Sequence, residues 1–562
     1  MYFDSNQLIV SLLTVFFASA IGAVLVFQRD SKRKATRYWG AVLLAACAVL
    51  AVWSWVRFGE FHVIHVDADG EQASAPNRRK VERHVPFHFH EFFHYYMGAK
   101  YFREVGYEGI YDCAALADKE LADEDGVRPR INGYIRDLDD VLRDKPYEVA
   151  LAHCHDELLP RMAPGRWDSF KGDIRELRRL VPDDYWSGVV VDAGFNPPPS
   201  WVLVGGALAN TIPIRLAGAP SYLLATGLDA VLIVVCFVAF RRSFGAPIAA
   251  TAAVYFGASF IASYAWNGGA FLRYTWVTTL VLALVATKRG RWALAGALFA
   301  ASACDRLFPA GFAVGAAVPL AFGALRSLDD RRKLVRFGAG FAGTALALFV
   351  LSTLVFGFDA WRVFFQRIVR HGDVYYVMHI GLKKVLAWRD WVPQQNFHGH
   401  PGMKLFHDWN IRLREAAASM RSVAIPMQLA ATGGAIYAGL RRKPYESALM
   451  MGIVSMFFFN IPANYYYVVI VMVPALLLRA AMTAPTLAKR LREFTCLTAF
   501  TAFWITTLIA PRMSGDDIVY DHTICVALLV FLGFWILAWL EPLDRIRARL
   551  PGAARQAAVM NP

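Results

Sequence analysis

Four ionisable side chains lie close together near the start of a long polar segment: His88, His90, Glu91 and His94. From residue 92 to 102, aromatic and small apolar residues recur at spacings of three and four, which predicts a helix. Gly106 and its neighbours predict the end of that helix. A carboxylate here can remove a proton from a hydroxyl group, and histidines beside it can bind hydroxyl groups or tune the carboxylate.

Residues 90–94 also match the HExxH pattern of zinc proteases. On a helix, His90 and His94 would bind zinc from one face, and Glu91 would activate a zinc-bound water. A third ligand is not evident, because one class of these enzymes has histidine where this chain has Lys100. A membrane zinc metalloprotease with the ligands His90 and His94 therefore stays open as an alternative.

The composition predicts the environment of this segment. Of 562 residues, 56% are hydrophobic, and the mean hydropathy is +0.36. Uncharged runs such as 8–27 and 523–540 are long enough, or nearly so, to cross a bilayer. The net charge of +14 does not indicate a nucleic-acid partner, because Lys and Arg cluster in short loops between the apolar runs. The sequence predicts an all-α polytopic membrane protein.

Placing every basic cluster on the cytoplasmic side predicts about thirteen transmembrane helices, with the N-terminus outside and the C-terminus inside. Residues 8–27 are expected to be a retained anchor rather than a cleaved signal peptide. Residues 201–213 are expected to be interfacial or re-entrant. The predicted spans are 8–27, 38–56, 221–240, 246–264, 270–287, two short helices within 292–325 broken at 304–309, 337–356, 422–440, 447–459, 468–478, 494–511 and 523–540.

These spans divide the chain into five parts, two of which are large extracytoplasmic loops. Cys113 and Cys154 share the first loop and would be free to form a disulfide if that loop is extracytoplasmic. The parts are two N-terminal transmembrane helices (1–56), the first loop with the candidate catalytic helix and the re-entrant segment (57–218), a transmembrane core (219–356), the second loop (357–421), and C-terminal transmembrane helices with a short cytoplasmic tail (422–562).

The stretch HEFFHYYMGAKYFREVGYEGIY resembles the first-loop signature of membrane glycosyltransferases of the GT-C fold. It is most similar to the polyprenyl-phosphate-sugar-dependent family 87, whose members include mannosyl- and arabinosyltransferase-like proteins. That family usually has Asp at the position of Glu91, so this chain has a longer carboxylate with the same chemistry. The matching positions are Glu91, Phe92, Tyr95, Tyr96, Gly98, Ala99, Gly106 and Tyr111.

Three further stretches continue the resemblance in the same order along the chain. FNPPPSW is similar to a Pro-Pro segment before a helix, and NIPANYYY to an aromatic turn near the last spans. Between them, the stretch that begins NGGAFLRY is similar to an Asn-Gly, a span, a basic turn, and a helix broken at a basic residue and a proline, here Arg306 and Pro309. The resemblance covers most of residues 91–478.

The resemblance implies a GT-C-like bundle in the cell (inner) membrane, with its active site on the extracytoplasmic side. It implies inverting transfer of a sugar from a polyprenyl-phosphate donor to a glycan or glycolipid acceptor, among membrane lipids. No cofactor is expected, and no divalent metal is indicated, because the leaving group is a lipid phosphate that cations can stabilise.

Site residues follow from this chemistry. Glu91 is the expected general base. Arg306 in an apolar stretch is a functional candidate, although it could simply pair with Asp305. The expected donor-phosphate ligands are Arg273, Arg306, Lys383 and Lys384. The expected acceptor or sugar ligands are His88, His90, His94, Tyr95, Asp192, Asn196 and Tyr465.

A lipid or solute transporter is the third alternative. Transporters commonly show paired repeats with interrupted helices in both halves. This sequence shows one interrupted helix and no internal symmetry, so this class ranks behind both enzymes.

Overall fold

The computed structural model describes residues 4–28, 34–67, 80–131, 133–214, 222–388, 404–514 and 516–540. Helices make up 78% of the structure. The described strands form two small antiparallel pairs, His62–Asp67 with Lys80–Val85 and Ile135–Arg136 with Asp144–Lys145. The predicted boundary at 218/219 and the tail 541–562 lie outside the described residues.

Seven described helices are long and apolar enough to cross a membrane: Ser5–Phe27, Tyr38–Trp55, Leu223–Phe244, Leu328–Phe356, Asn464–Thr483, Leu487–Ser514 and Ile518–Trp539. Shorter apolar helices are Ala246–Gly257, Thr275–Lys288, Trp292–Asp305, Ala310–Ala324 and Pro444–Phe459. Arg421–Gly439 is a further helix at a predicted span. The fold is that of an all-α membrane protein, and the count of thirteen crossings stays a prediction.

The helix Leu328–Phe356 exposes large apolar side chains on its outer surface. Leu354 is 77% exposed, and Leu346 and Leu351 are also exposed on this helix. Apolar side chains that point away from the protein over a helix of 29 residues require a hydrocarbon environment. The helix is therefore suited to face lipid.

The segment before the helix Thr275–Lys288 differs from the prediction. A helix was expected from residue 270, but it begins at Thr275. Gly269 has φ +70°, and a Cβ there would lie 2.1 Å from the carbonyl oxygen of Pro86. The amide of His88 also donates to the carbonyl of Gly268, at 3.0 Å. Helical geometry gives way here because the backbone of 268–269 packs directly against the start of the candidate catalytic helix.

The first loop folds into helices around its own apolar core, which includes buried Tyr101, Phe170 and Trp186. Cys113 and Cys154, whose pairing the sequence left open, form a disulfide within it. Its helices are Phe89–Phe92, a π-helix Phe93–Met97, Gly98–Lys100, Phe102–Val105, Ile110–Asp125, Tyr147–Ala152, a π-helix His153–Leu158, Arg166–Arg178, Asp183–Val189 and Pro199–Thr211. Short 3₁₀ turns at Arg57–Gly59 and Leu159–Arg161 complete it.

The predicted re-entrant segment 201–213 is a 13-residue helix, Pro199–Thr211. At about 1.5 Å per residue it is too short to cross a bilayer. A Cβ on Gly206 would lie 3.0 Å from the carbonyl oxygen of Ala99, so this helix packs closely on the candidate catalytic segment. The second loop contributes the helices Phe358–His371, Leu382–Leu386 and Lys404–Ser419.

Candidate functional site

The helix that carries Glu91 widens after its first turn. His88 caps its N-terminus, accepting the amide of Glu91 at 3.3 Å. Residues Phe93–Met97 then form a π-helix, a rare geometry that is frequent at functional sites. Glu91, His94 and Tyr95, at positions i, i+3 and i+4, all line one cavity.

This cavity, which we call the central cavity, has a volume of about 510 Å³. Both loops line it, together with the segment around Arg306 and the turn before Asn464–Thr483. It brings together most of the predicted site residues: Glu91, His94, Tyr95, Asp192, Asn196, Arg273, Arg306, Lys383 and Tyr465.

The hydroxyl group of Tyr95 joins two arginines from distant parts of the chain. Arg306 Nη2 donates to it at 2.6 Å, and Arg273 Nη1 donates to it as well. Arg273 Nη1 also lies 3.0 Å from Glu91 Oε2. Arg306 Nη1 pairs with Asp305 Oδ1 at 3.0 Å, so the expected ion pair exists, yet Arg306 also lines the cavity.

Aromatic rings hold the guanidinium group of Arg273. Its central carbon lies 4.5 Å from the ring centroid of Tyr465, 4.8 Å from that of Tyr95 and 4.9 Å from that of Tyr466. Within the described residues, the buried Nη2 atom of Arg273 has no hydrogen-bond partner. Cation–π contacts stabilise the positive charge without using that donor.

His94 and Asp192 form a second polar group in the cavity. His94 Nε2 lies 2.7 Å from the hydroxyl of Tyr111, which also accepts the amide of Gly194 at 3.0 Å. His94 Nδ1 lies 3.7 Å from Asp192 Oδ2. Burial lowers the pKa of His94, which favours its neutral form.

The other predicted histidine ligands lie outside the described lining of the central cavity. His88 is held by the helix cap, and burial places its pKa well below the usual value, so it is neutral. The ring of His90 packs against Tyr185, with centroids 4.7 Å apart. His88 thus contacts the first turn of the helix of Glu91, and His90 contacts the helix Asp183–Val189.

The two predicted lysines differ in their surroundings. Lys383 lines the cavity and pairs with Asp373 at 3.2 Å. Lys384 is buried, lies 3.9 Å from Asp521 and donates to the carbonyl of Val377. Only Lys383 is therefore placed to meet a ligand in the central cavity.

Six residues that were not among the predicted site residues also line the central cavity: Phe364, Ile368, His371, Tyr376, His379 and Tyr466. Burial lowers the pKa of His371 to about 4 and that of His379 well below its usual value. The available signal was the amphipathic pattern of Phe358–His371, one face of which is apolar and half-buried.

In the part of the chain that the structure describes, no group of three or more His, Cys, Asp or Glu side chains is placed to hold a metal ion. His94 Nε2, one of the two expected zinc ligands, faces the hydroxyl of Tyr111. The geometry gives the zinc alternative no additional support.

No family model matches this chain, and no curated protein or solved structure matches it either. Function must therefore be argued from the residues of the central cavity.

Proposed function

We propose that this protein is an integral membrane glycosyltransferase of the GT-C type. It transfers a sugar from a polyprenyl phosphate to a hydroxyl group of an extracytoplasmic glycan or lipid, with inversion at the anomeric carbon. The observation that carries the proposal is a chain of contacts in one cavity: Arg273 and Arg306 both donate to the hydroxyl of Tyr95, and Arg273 also lies 3.0 Å from Glu91.

The reaction needs a base and a stabilised leaving group. The acceptor oxygen bonds to the anomeric carbon as its proton passes to Glu91. The bond between that carbon and the phosphate oxygen breaks, and its electron pair leaves with the polyprenyl phosphate. Arg273 and Arg306 offset the charge that develops on the phosphate, and in a buried cavity such charge pairs are strong.

The free donor on Arg273 supports a phosphate ligand in particular. Nη1 contacts Glu91 and Tyr95, while Nη2 has no partner among the described residues. A phosphate bound by Arg273 and Arg306 lies close to Glu91, so the leaving group and the base are held in the same part of the cavity.

Apolar side chains on the same cavity suit the lipid part of the donor. Leu307 and Phe308 directly follow Arg306, and Phe364 and Ile368 face the cavity from the second loop. Leu307 is 40% exposed at its edge. A polyprenyl chain that runs past these residues would keep its phosphate beside the arginines while its tail reaches lipid.

We also propose, from the distribution of charge, that the protein lies in the cell (inner) membrane with the central cavity on the extracytoplasmic side. Basic clusters such as Lys288–Arg291, Arg441–Lys443 and Lys489–Arg492 are assigned to the opposite, cytoplasmic side.

The test uses the purified protein in lipid nanodiscs. It is supplied with mannosyl-, glucosyl- and arabinosyl-phosphate polyprenols and with envelope glycans as acceptors. We expect release of polyprenyl phosphate from at least one donor, and binding of polyprenyl phosphate itself. Absence of both binding and release would contradict the proposal. Stoichiometric zinc that disappears in His90→Ala/His94→Ala would instead support the protease.

A further inference from the structure

A second cavity of about 550 Å³ adjoins the central cavity, and we call it the polar cleft. It is lined by the turn 137–143 of the first loop, by residues 367–374, and by His407 and Arg414. Asn196, Val369, His371 and Asp373 line both cavities. The two spaces therefore share a wall, and a ligand in the polar cleft can extend toward Glu91.

Two of the four arginines that line the polar cleft pair with aspartates of the same cleft. Arg370 lies 2.6 Å from Asp139, and Arg143 lies 3.0 Å from Asp140. Four aspartates and four arginines line the cleft in all. Paired carboxylates and guanidinium groups retain acceptors and donors of hydrogen bonds while their net charge is small.

A buried arginine fixes the wall between the two cavities. Arg367 is 8% exposed, and its Nη1 donates to the carbonyl of Tyr107 at 2.8 Å. Its Nη2 lies 3.5 Å from Asn196 Oδ1, and the side-chain Nδ2 of Asn196 donates to the carbonyl of Ala193 at 3.2 Å. The wall is thus a built polar surface with donors held in fixed positions.

We propose that the polar cleft binds the acceptor, and that the acceptor is a neutral, hydroxyl-rich saccharide. The inference rests on the proposed glycosyltransferase activity and adds the class of acceptor and its place. Vicinal hydroxyl groups both donate and accept, which suits alternating carboxylates and guanidinium groups. An anionic glycan would be favoured by an excess of positive charge, which four aspartates offset here, and a lipid acceptor by apolar walls.

The test measures binding of neutral oligosaccharide fragments of mannan, arabinan and glucan, beside anionic polygalacturonate fragments, to the protein in nanodiscs. His407→Trp places a bulky ring in the polar cleft, away from the central cavity. His155→Trp is the matched control, because His155 is 67% exposed and does not line the cleft. Binding of polyprenyl phosphate is measured for every variant.

We expect at least one neutral fragment to bind, with affinity at least tenfold weaker in His407→Trp and unchanged in His155→Trp. Asp139→Asn leaves Arg370 without its carboxylate and should shift preference toward polygalacturonate. Stronger binding of the anionic fragments by the wild type, unchanged binding in His407→Trp, or no neutral fragment bound would each overturn the inference. Absence of both binding and release of polyprenyl phosphate by the wild type would instead overturn the proposed function.

Discussion

The carboxylate of Glu91 lies 3.0 Å from the guanidinium group of Arg273, which follows a different membrane segment of the chain. Glu91 is 15% exposed and Arg273 only 3%. The same contact joins the candidate base to a candidate phosphate ligand, so one arginine links the two roles.

Replacing this carboxylate should stop transfer without unfolding the protein. Glu91→Gln keeps the shape of the side chain and removes the base, so we expect turnover to fall by about 10²–10⁴-fold. Binding of polyprenyl phosphate should change little. The measurement is transfer beside thermal unfolding. Glu104→Gln is the matched control, because Glu104 is 14% exposed and pairs with Arg166 at 2.6 Å outside the cavity. Near-normal turnover in Glu91→Gln would exclude Glu91 as the base.

Arg306 should contribute to donor binding. Arg306→Gln removes a charged donor beside Tyr95, and we expect polyprenyl phosphate to bind about 10–100-fold more weakly, as for the loss of a charge-assisted hydrogen bond. The measurement is a titration in nanodiscs. Arg178→Gln is the control, since Arg178 is buried and pairs with Asp118 at 3.3 Å in the first loop. If Arg306→Gln and Arg178→Gln bind polyprenyl phosphate with equal affinity, Arg306 does not bind the donor and serves only in its ion pair with Asp305.

The disulfide should stabilise the first loop. It links residues 41 positions apart, and constraint of the unfolded chain by a loop of that length stabilises the fold by about 4 kcal/mol. Cys113→Ser/Cys154→Ser should therefore lower the melting temperature, and reductant should lower it in the wild type but not in the double variant. Cys47→Ser removes a free cysteine and is the control. A wild-type melting temperature that does not change when reductant is added would contradict this expectation.

Acid should destabilise the protein partly through His371. Burial, reinforced by Arg367 and Arg136, lowers the pKa of His371 to about 4 from an ordinary value of 6.5. Between those values the unfolded chain binds a proton that the folded protein does not. The free energy of unfolding therefore falls as the pH falls from 6.5 to 4, by up to about 3 kcal/mol.

The measurement for His371 is the melting temperature at several values of pH between 7 and 4. His371→Gln removes the titrating ring and should show a shallower fall than the wild type. His155→Gln, which removes an exposed histidine of the same protein, should follow the wild type. Parallel curves for wild type and His371→Gln would show that His371 does not titrate differently on folding.

The sequence determined the class of structure because apolar length and charge placement are local properties. Long uncharged runs require a hydrocarbon solvent, and the break at 304–309 was readable from a charged pair beside proline. The helix of Glu91 and its end near Gly106 were readable from spacing and glycine. Most of the predicted site residues line the central cavity.

Tertiary structure decided which of those residues act together. Two residues adjacent in sequence have different surroundings: Lys383 lines the central cavity, whereas Lys384 is buried and lies 3.9 Å from Asp521. Distant residues meet: Arg273 and Arg306 share the hydroxyl of Tyr95. The late start of the helix at Thr275 was not readable from periodicity, since the backbone at Gly269 packs against Pro86. The π-helix Phe93–Met97 was not readable from periodicity either. Local pattern specifies helices and solvent, whereas long-range packing specifies which side chains face the same cavity.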